Sequence, residues 1–180
     1  MTVRPIALLG QPVLLERASE VEDVTEPEIQ ALIDDMLETM LAADGIGLAA
    51  PQVHAPWRVI VALEITDRAA RAAAIPRVLV NPVLTPLGET VETAFEGCLS
   101  IPDLRGMVPR FRRVAFRGLD RDGAVIAGEA TGLFARVLQH EVDHLDGVLY
   151  LSRMPDLRRL AFASALPHLT AWMSPQGEPA

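Results

Sequence analysis

An α+β domain is what this sequence predicts, with antiparallel sheets in the middle of the chain packed around a histidine-bearing helix, and N-terminal and C-terminal helices on either side. Three observations carry the expectation. Apolar residues recur at helical spacing from Ile29 to Leu41, the stretch from Trp57 to Val125 breaks into short β-branched runs, and a second helical stripe follows Thr131. Strands gathered in the middle, with helices before and after them, separate this class from alternating βαβ units.

The first helix is predicted over Glu26 to Ala43. Ile29, Leu32, Ile33, Met36, Leu37, Met40 and Leu41 form one stripe that stops near Gly45, and Thr25 with Glu28 has the spacing of a capping box. Strand-length runs follow at Arg58 to Ile65, Arg77 to Asn81, Val114 to Gly118 and Ala124 to Ala127, separated by Pro, Gly and Asp turns. Asp120 to Gly123 reads as a hairpin turn, the glycine adopting positive φ at little cost. Thr131 is placed to cap the second helix, which carries Leu133, Phe134, Val137, Leu138, His140 and His144 and ends at Gly147. A third helical stretch is expected from Pro155 to Leu166, broken by Pro167. Residues 1–167 are therefore read as a single catalytic domain and 168–180 as a mobile C-terminal tail.

With 180 residues, half of them hydrophobic, the chain suits one globular domain. Its formal net charge is −8 and its basic residues are all arginine, which argues against binding of DNA by the general surface. Cys98 is the single cysteine, so no internal disulfide can form and the thiol is free for packing or ligation. The apolar run Ile6 to Leu9 is too short for a secretory signal, and no run approaches the length of a membrane span. A cytoplasmic monomer with no membrane contact is the expectation.

The chemistry concentrates in Gln139-His140-Glu141-Val142-Asp143-His144. Two histidines four apart on a helix project from one face and can share a metal, which makes this the metal-binding helix. Glu141, between them, can take a proton from water activated by that metal without itself being a ligand. The same spacing also occurs on ordinary helix surfaces, so a third ligand has to decide. A metallopeptidase of the HExxH kind finds its third ligand downstream. Here Tyr150 stands where one class has a histidine, and the only later glutamate is Glu178. His168 lies beyond the helix break and reads as a surface residue. Upstream, Cys98 in Glu96-Gly97-Cys98-Leu99-Ser100 can ligate as thiolate, with Gly97 permitting close backbone approach. Gly45-Ile46-Gly47-Leu48-Ala49-Ala50-Pro51-Gln52 adds small residues and an amide donor, with no phosphate-loop pattern.

Gly45 to Gln52, Glu96 to Ser100 and Gln139 to Gly147, in this order, closely resemble the three signature motifs of the peptide deformylases, and the run Ile101 to Arg110 resembles the family's bacterial type. The resemblance implies a hydrolase that removes the formyl group from N-formyl-methionyl nascent polypeptides and releases formate. It implies one divalent metal ion, Fe2+ in the cell with Zn2+, Ni2+ or Co2+ tolerated, held by Cys98, His140 and His144. Glu141 would be the base, and Gln52 and the backbone N–H of Leu99 the oxyanion donors. Gly45, Ile46, Gly47, Glu96, Gly97, Arg105, Leu133 and Val137 would bind substrate, with Glu96 orienting a ligand or closing an ion pair. Arg136, one turn before His140, stands where the resemblance implies an aliphatic residue. Its guanidinium is expected to snorkel past the pocket, the sharper alternative being a polar rim. A ribosome-docking role is implied for the C-terminal helix, and only Arg153, Arg158 and Arg159 supply basic charge there, so weak, salt-sensitive contact is expected. The competing readings are an HExxH-type metallopeptidase and a catalytically inactive metal-binding protein of the same fold.

Overall fold

The computed structural model describes residues 2–174. Its elements in chain order are α1 (Pro27–Ala42), β1 (Gly47–Ala49), β2 (Val59–Leu63), β3 (Pro76–Pro86), β4 (Val91–Cys98), β5 (Ile101–Phe111), β6 (Arg113–Leu119), β7 (Val125–Thr131), α2 (Gly132–Leu145), β8 (Leu160–Phe162) and α3 (Leu166–Trp172), with short 3-10 turns between them. The strands form two antiparallel sheets, one ordered β1-β2-β3-β6-β7 and one ordered β4-β5-β8. The α+β class read from the sequence is what the chain adopts.

Helix α1 lays Ile29, Leu32, Ile33, Met36 and Met40 against Val59, Val61 and Leu63 of β2, the inward side chains of an amphipathic helix on a sheet face. On the other face Phe134, Ala135, Val137, Leu138 and Leu145 of α2 pack on Ile60, Ala62, Leu79 and Val114. Strand β2 is buried at every position because helices cover both of its faces. A third cluster joins Cys98, Ile101 and Val108 of the smaller sheet to Tyr150 and to Ala7 and Leu14. Helix α2 thus lies between the sheets, and even its polar residues His140, Glu141, Asp143 and His144 are buried. Among the described residues no helix is long and apolar enough to cross a membrane.

Several local expectations are corrected. Thr25 does not cap α1: its hydroxyl donates to Asp23, and Pro27, which has no N–H to satisfy, opens the helix after Glu26. Thr131 does precede α2, without a side-chain capping bond. The helix expected from Pro155 to Leu166 is absent. Leu160–Phe162 instead pairs with Leu104–Gly106 as β8, and Pro167 sits in the first turn of α3, a position that tolerates proline, so it starts a helix there. Of the stretch expected as a tail, 168–172 belong to α3 and residues 175–180 lie outside the described residues. The Asp120–Gly123 turn forms as expected: Gly123 has φ +81° and Asp120 Oδ1 accepts from the N–H groups of Asp122 and Ala124.

Candidate metal centre and cleft

Cys98 ends β4, and His140 and His144 sit one turn apart on α2, so the donors come from both sides of the junction between sheet and helix. The Cys98 thiol and one nitrogen of each imidazole lie within 4.8 Å of one another, all three buried. Cys98 Sγ is 3.2 Å from His144 Nε2. His140 Nδ1 is 2.9 Å from Glu96 Oε2, which fixes the ring and leaves Nε2 for the shared centre. A carboxylate behind a histidine ligand is the usual support of a metal site. The donor set therefore fits a divalent ion: two imidazoles and a thiolate, converged, desolvated and oriented.

Glu141 is 4 % exposed, and its Oε2 has no hydrogen-bond partner among the described residues. Burial pushes its carboxyl up to about 7, against the opposing charge of His140. An unpartnered carboxylate beside a metal-ligand cluster is poised to accept a proton. Gln52 brings an amide to the same place. Its Oε1 accepts from the Ala49 N–H at 2.8 Å, which orients the group, and Nε2 reaches Cys98 Sγ at 3.4 Å and Ser100 Oγ at 3.2 Å.

These groups open onto a cavity of about 600 Å³, a usual size for a small-ligand site. Gln52, Cys98, Leu99, His140 and Glu141 all line it, as do Gly45, Ile46, Gly47, Glu96, Gly97, Arg105, Leu133 and Val137. His144, 1 % exposed, is off its surface. Strands β1 and β4 are both sheet edges, and both flank the cavity. The backbone groups of Gly45 are already engaged: its N–H donates to Met40 and its carbonyl accepts from Arg71 Nε. The Ile46 carbonyl accepts from Leu63, so in the antiparallel ladder the N–H and C=O of Gly47 point away from β2, toward the open edge. Arg105 has no carboxylate partner among the described residues, its NH1 donating only to the Leu104 carbonyl, and its charge faces the cleft.

Two glycines of the cleft lie in close approach to side chains. A Cβ on Gly47 would fall on the Glu141 carboxylate and 2.8 Å from Val137 Cγ1, and one on Gly97 would strike the Arg105 guanidinium. Gly47→Ala is therefore expected to displace Glu141 and lower kcat on the order of a hundredfold. Metal content should be unchanged, which elemental analysis beside the kinetics would check.

Arg136 does not snorkel past the pocket: it is buried and lines the cavity, as the polar-rim alternative has it. From the cavity wall its guanidinium turns inward, where NH1 donates to Glu96 Oε1 and the Val108 carbonyl, each at 2.7 Å, and NH2 to the Glu92 carbonyl at 2.6 Å. Arg110 binds the same carboxylate through Nε and NH2, at 2.9 and 3.0 Å, and also binds Asp143, which Arg153 reaches from the other side. Burial alone would raise the Glu96 carboxyl, but the hydrogen bonds from His140 and Arg110 hold it down at about 2. Glu96 is thus saturated, and it ties β4, β5 and α2 together behind His140. Sequence reasoning missed Arg110 and Asp143 as parts of this support, and Ser100 as a partner of Gln52.

Comparison with known proteins finds one family. The family model described as polypeptide deformylase matches residues 3–160. A protein named peptide deformylase 1 from Nitrosomonas europaea is 46% identical over 166 residues, covering 91% of this chain and 94% of that protein. Among solved structures, a class I type b peptide deformylase from Acinetobacter baumannii bound to Met-Ala-Ser matches with a TM-score of 0.78 and 35% identity, covering 85% of this chain and 99% of that one. The peptide deformylase of Thermotoga maritima matches with a TM-score of 0.78 and 34% identity, covering 87% of this chain and 100% of that one.

Proposed function

Since this chain belongs to the polypeptide deformylase family and is a peptide deformylase, we propose that its catalytic apparatus is the cluster of Cys98, His140, His144, Glu141, Gln52 and Leu99. The observation that carries the assignment is the place of Cys98. It completes the ligand set from upstream, with the Gln52 amide 3.4 Å from its sulfur, where a peptidase of the HExxH kind needs a downstream ligand.

Cys98, His140 and His144 hold one divalent ion, which when bound lowers the pKa of water and polarises the formyl carbonyl. The ligand chemistry suits Fe2+, Zn2+, Ni2+ or Co2+ alike, and Fe2+ is the cellular ion in this reading. Glu141 accepts the proton of the attacking water at Oε2 and passes it to the amine nitrogen as the C–N bond breaks. The water oxygen leaves in formate, and the peptide keeps a free α-amine. The Gln52 amide and the Leu99 N–H stabilise the oxyanion as preorganised donors. The formyl-methionyl peptide lies along the open edge of β1 and takes its main-chain bonds from Gly47, in the manner of an added strand. Gly45 shapes that loop without offering a free backbone group. Leu133 and Val137 receive the methionine side chain, and Arg105 positions the peptide beyond it. Glu96 acts through His140. The enzyme works in the cytoplasm as a monomer, and any ribosome contact is weak, since Arg153, Arg158 and Arg159 precede α3 and α3 itself carries no arginine.

Formate release from formyl-Met-Ala-Ser by anaerobically purified protein tests this reading. Formate and free amine should appear one to one. Absence of formate at full metal occupancy, or cleavage of an internal peptide bond, would overturn it.

A further inference from the structure

The N-terminal segment Thr2–Gly10 crosses the two turns that carry the oxyanion donors. Its start is fastened to α1: the Thr2 N–H donates to Asp35 Oδ1 at 2.7 Å, Arg4 Nε to Asp35 Oδ2 at 2.9 Å, and the Arg4 N–H to Thr39 Oγ1 at 2.9 Å. Farther along, the N–H of Ala7, a fully buried residue, donates to the Gln52 carbonyl at 2.8 Å, and the Leu9 N–H to the Ser100 carbonyl at 2.9 Å. Two residues of one strap therefore hold the two turns.

Those turns belong to different sheets, Gln52 following β1 and Leu99 following β4, so no strand ladder sets the distance between them. Ser100 is the crossing point. It is fully buried, its carbonyl is held by the strap, its hydroxyl accepts from Gln52, and its N–H donates to Cys98 Sγ at 3.4 Å. We propose that the strap Thr2–Gly10 is a positioning element that fixes the separation between the Gln52 amide and the Leu99 N–H, and so governs the rate of the chemical step rather than substrate affinity. The inference rests on the oxyanion roles assigned above. Preorganised donors lose most of their value when displaced by about an ångström, which places the effect on kcat.

The test compares Leu9→Pro, which removes the N–H held by Ser100, with Leu9→Ala, which keeps it, and with Asp35→Ala, which frees the start of the strap. Leu9→Pro is expected to lower kcat by about tenfold to a hundredfold. Its KM and metal content should match the unaltered protein, and Leu9→Ala should keep the original rate. Asp35→Ala should lower kcat less, and should broaden the Gln52 side-chain amide resonances of the zinc-loaded protein in NMR spectra. Unchanged kcat and sharp Gln52 resonances in Asp35→Ala, even if Leu9→Pro fails to fold, would overturn the proposal, and so would equal losses in Leu9→Pro and Leu9→Ala. Formate release by the unaltered chain tests the activity itself, whereas the strap is judged by the ratio of variant to parent.

Discussion

Glu141→Ala is expected to keep its metal and lose formate release by about 10²–10⁴-fold, the usual contribution of a positioned general base. The carboxylate is not among the three converging donors, so its removal leaves Cys98, His140 and His144 intact. It is also a buried acid with one unpartnered oxygen, so the variant should unfold at the same or a higher temperature than the parent. Kinetics, elemental analysis and a thermal scan on one preparation separate these effects. Activity retained with metal in place would remove Glu141 from the mechanism, and metal lost would make it a ligand.

Arg110→Ala is expected to destabilise the fold by about 3 kcal/mol, because it takes hydrogen-bonded charge from the buried carboxylates of Glu96 and Asp143 and leaves only Arg136 and His140 on the first and Arg153 on the second. Arg153→Ala removes a partner of the same Asp143, but its side chain is 49% exposed and the cost should stay below about 1 kcal/mol. Chemical unfolding at fixed metal compares the two. The acid limb gives a second reading. The Glu96 carboxyl is depressed to about 2, so the stability it contributes is complete above its ordinary value near 4.5 and is lost as pH falls between the two. Without Arg110 the folded-state value rises toward the ordinary one, so the loss should still begin near 4.5 but be smaller and be complete at a higher pH. Equal costs for the two arginines would mean that the cluster acts as a surface network.

Helices α1 and α2 were legible because each writes its buried face at helical spacing, and Cys98, His140, His144 and Gln52 because donor chemistry marks them directly. The β4–β5 hairpin was not, although it carries Cys98. Pro102, Gly106 and Pro109 interrupt its pattern, and they are tolerated because β8 covers only Leu104–Gly106, leaving much of one side of β5 without a neighbouring strand. Arg136 was misplaced for another reason. Its carboxylate partner lies 40 residues away, and only the closed hairpin brings it within reach. Ser100 and Arg110 likewise have partners 48 and 14 residues distant. Asp143 left a faint signal, three residues after His140 and so on the same helix face. The thiol and imidazoles name their chemistry, whereas an arginine spends its charge wherever the fold places a carboxylate.

The distance along the chain between Cys98 and His144, 46 residues, has a bearing on the unfolded ensemble. An ion gripped by both ends of that segment closes a loop, and a covalent bridge over a loop of this size removes on the order of 4 kcal/mol of chain entropy from the denatured state. A polypeptide with a single cysteine cannot make that bridge with sulfur alone. Coordination supplies a reversible counterpart, so a chelator acts on this molecule much as a reductant acts on a disulfide-stapled one.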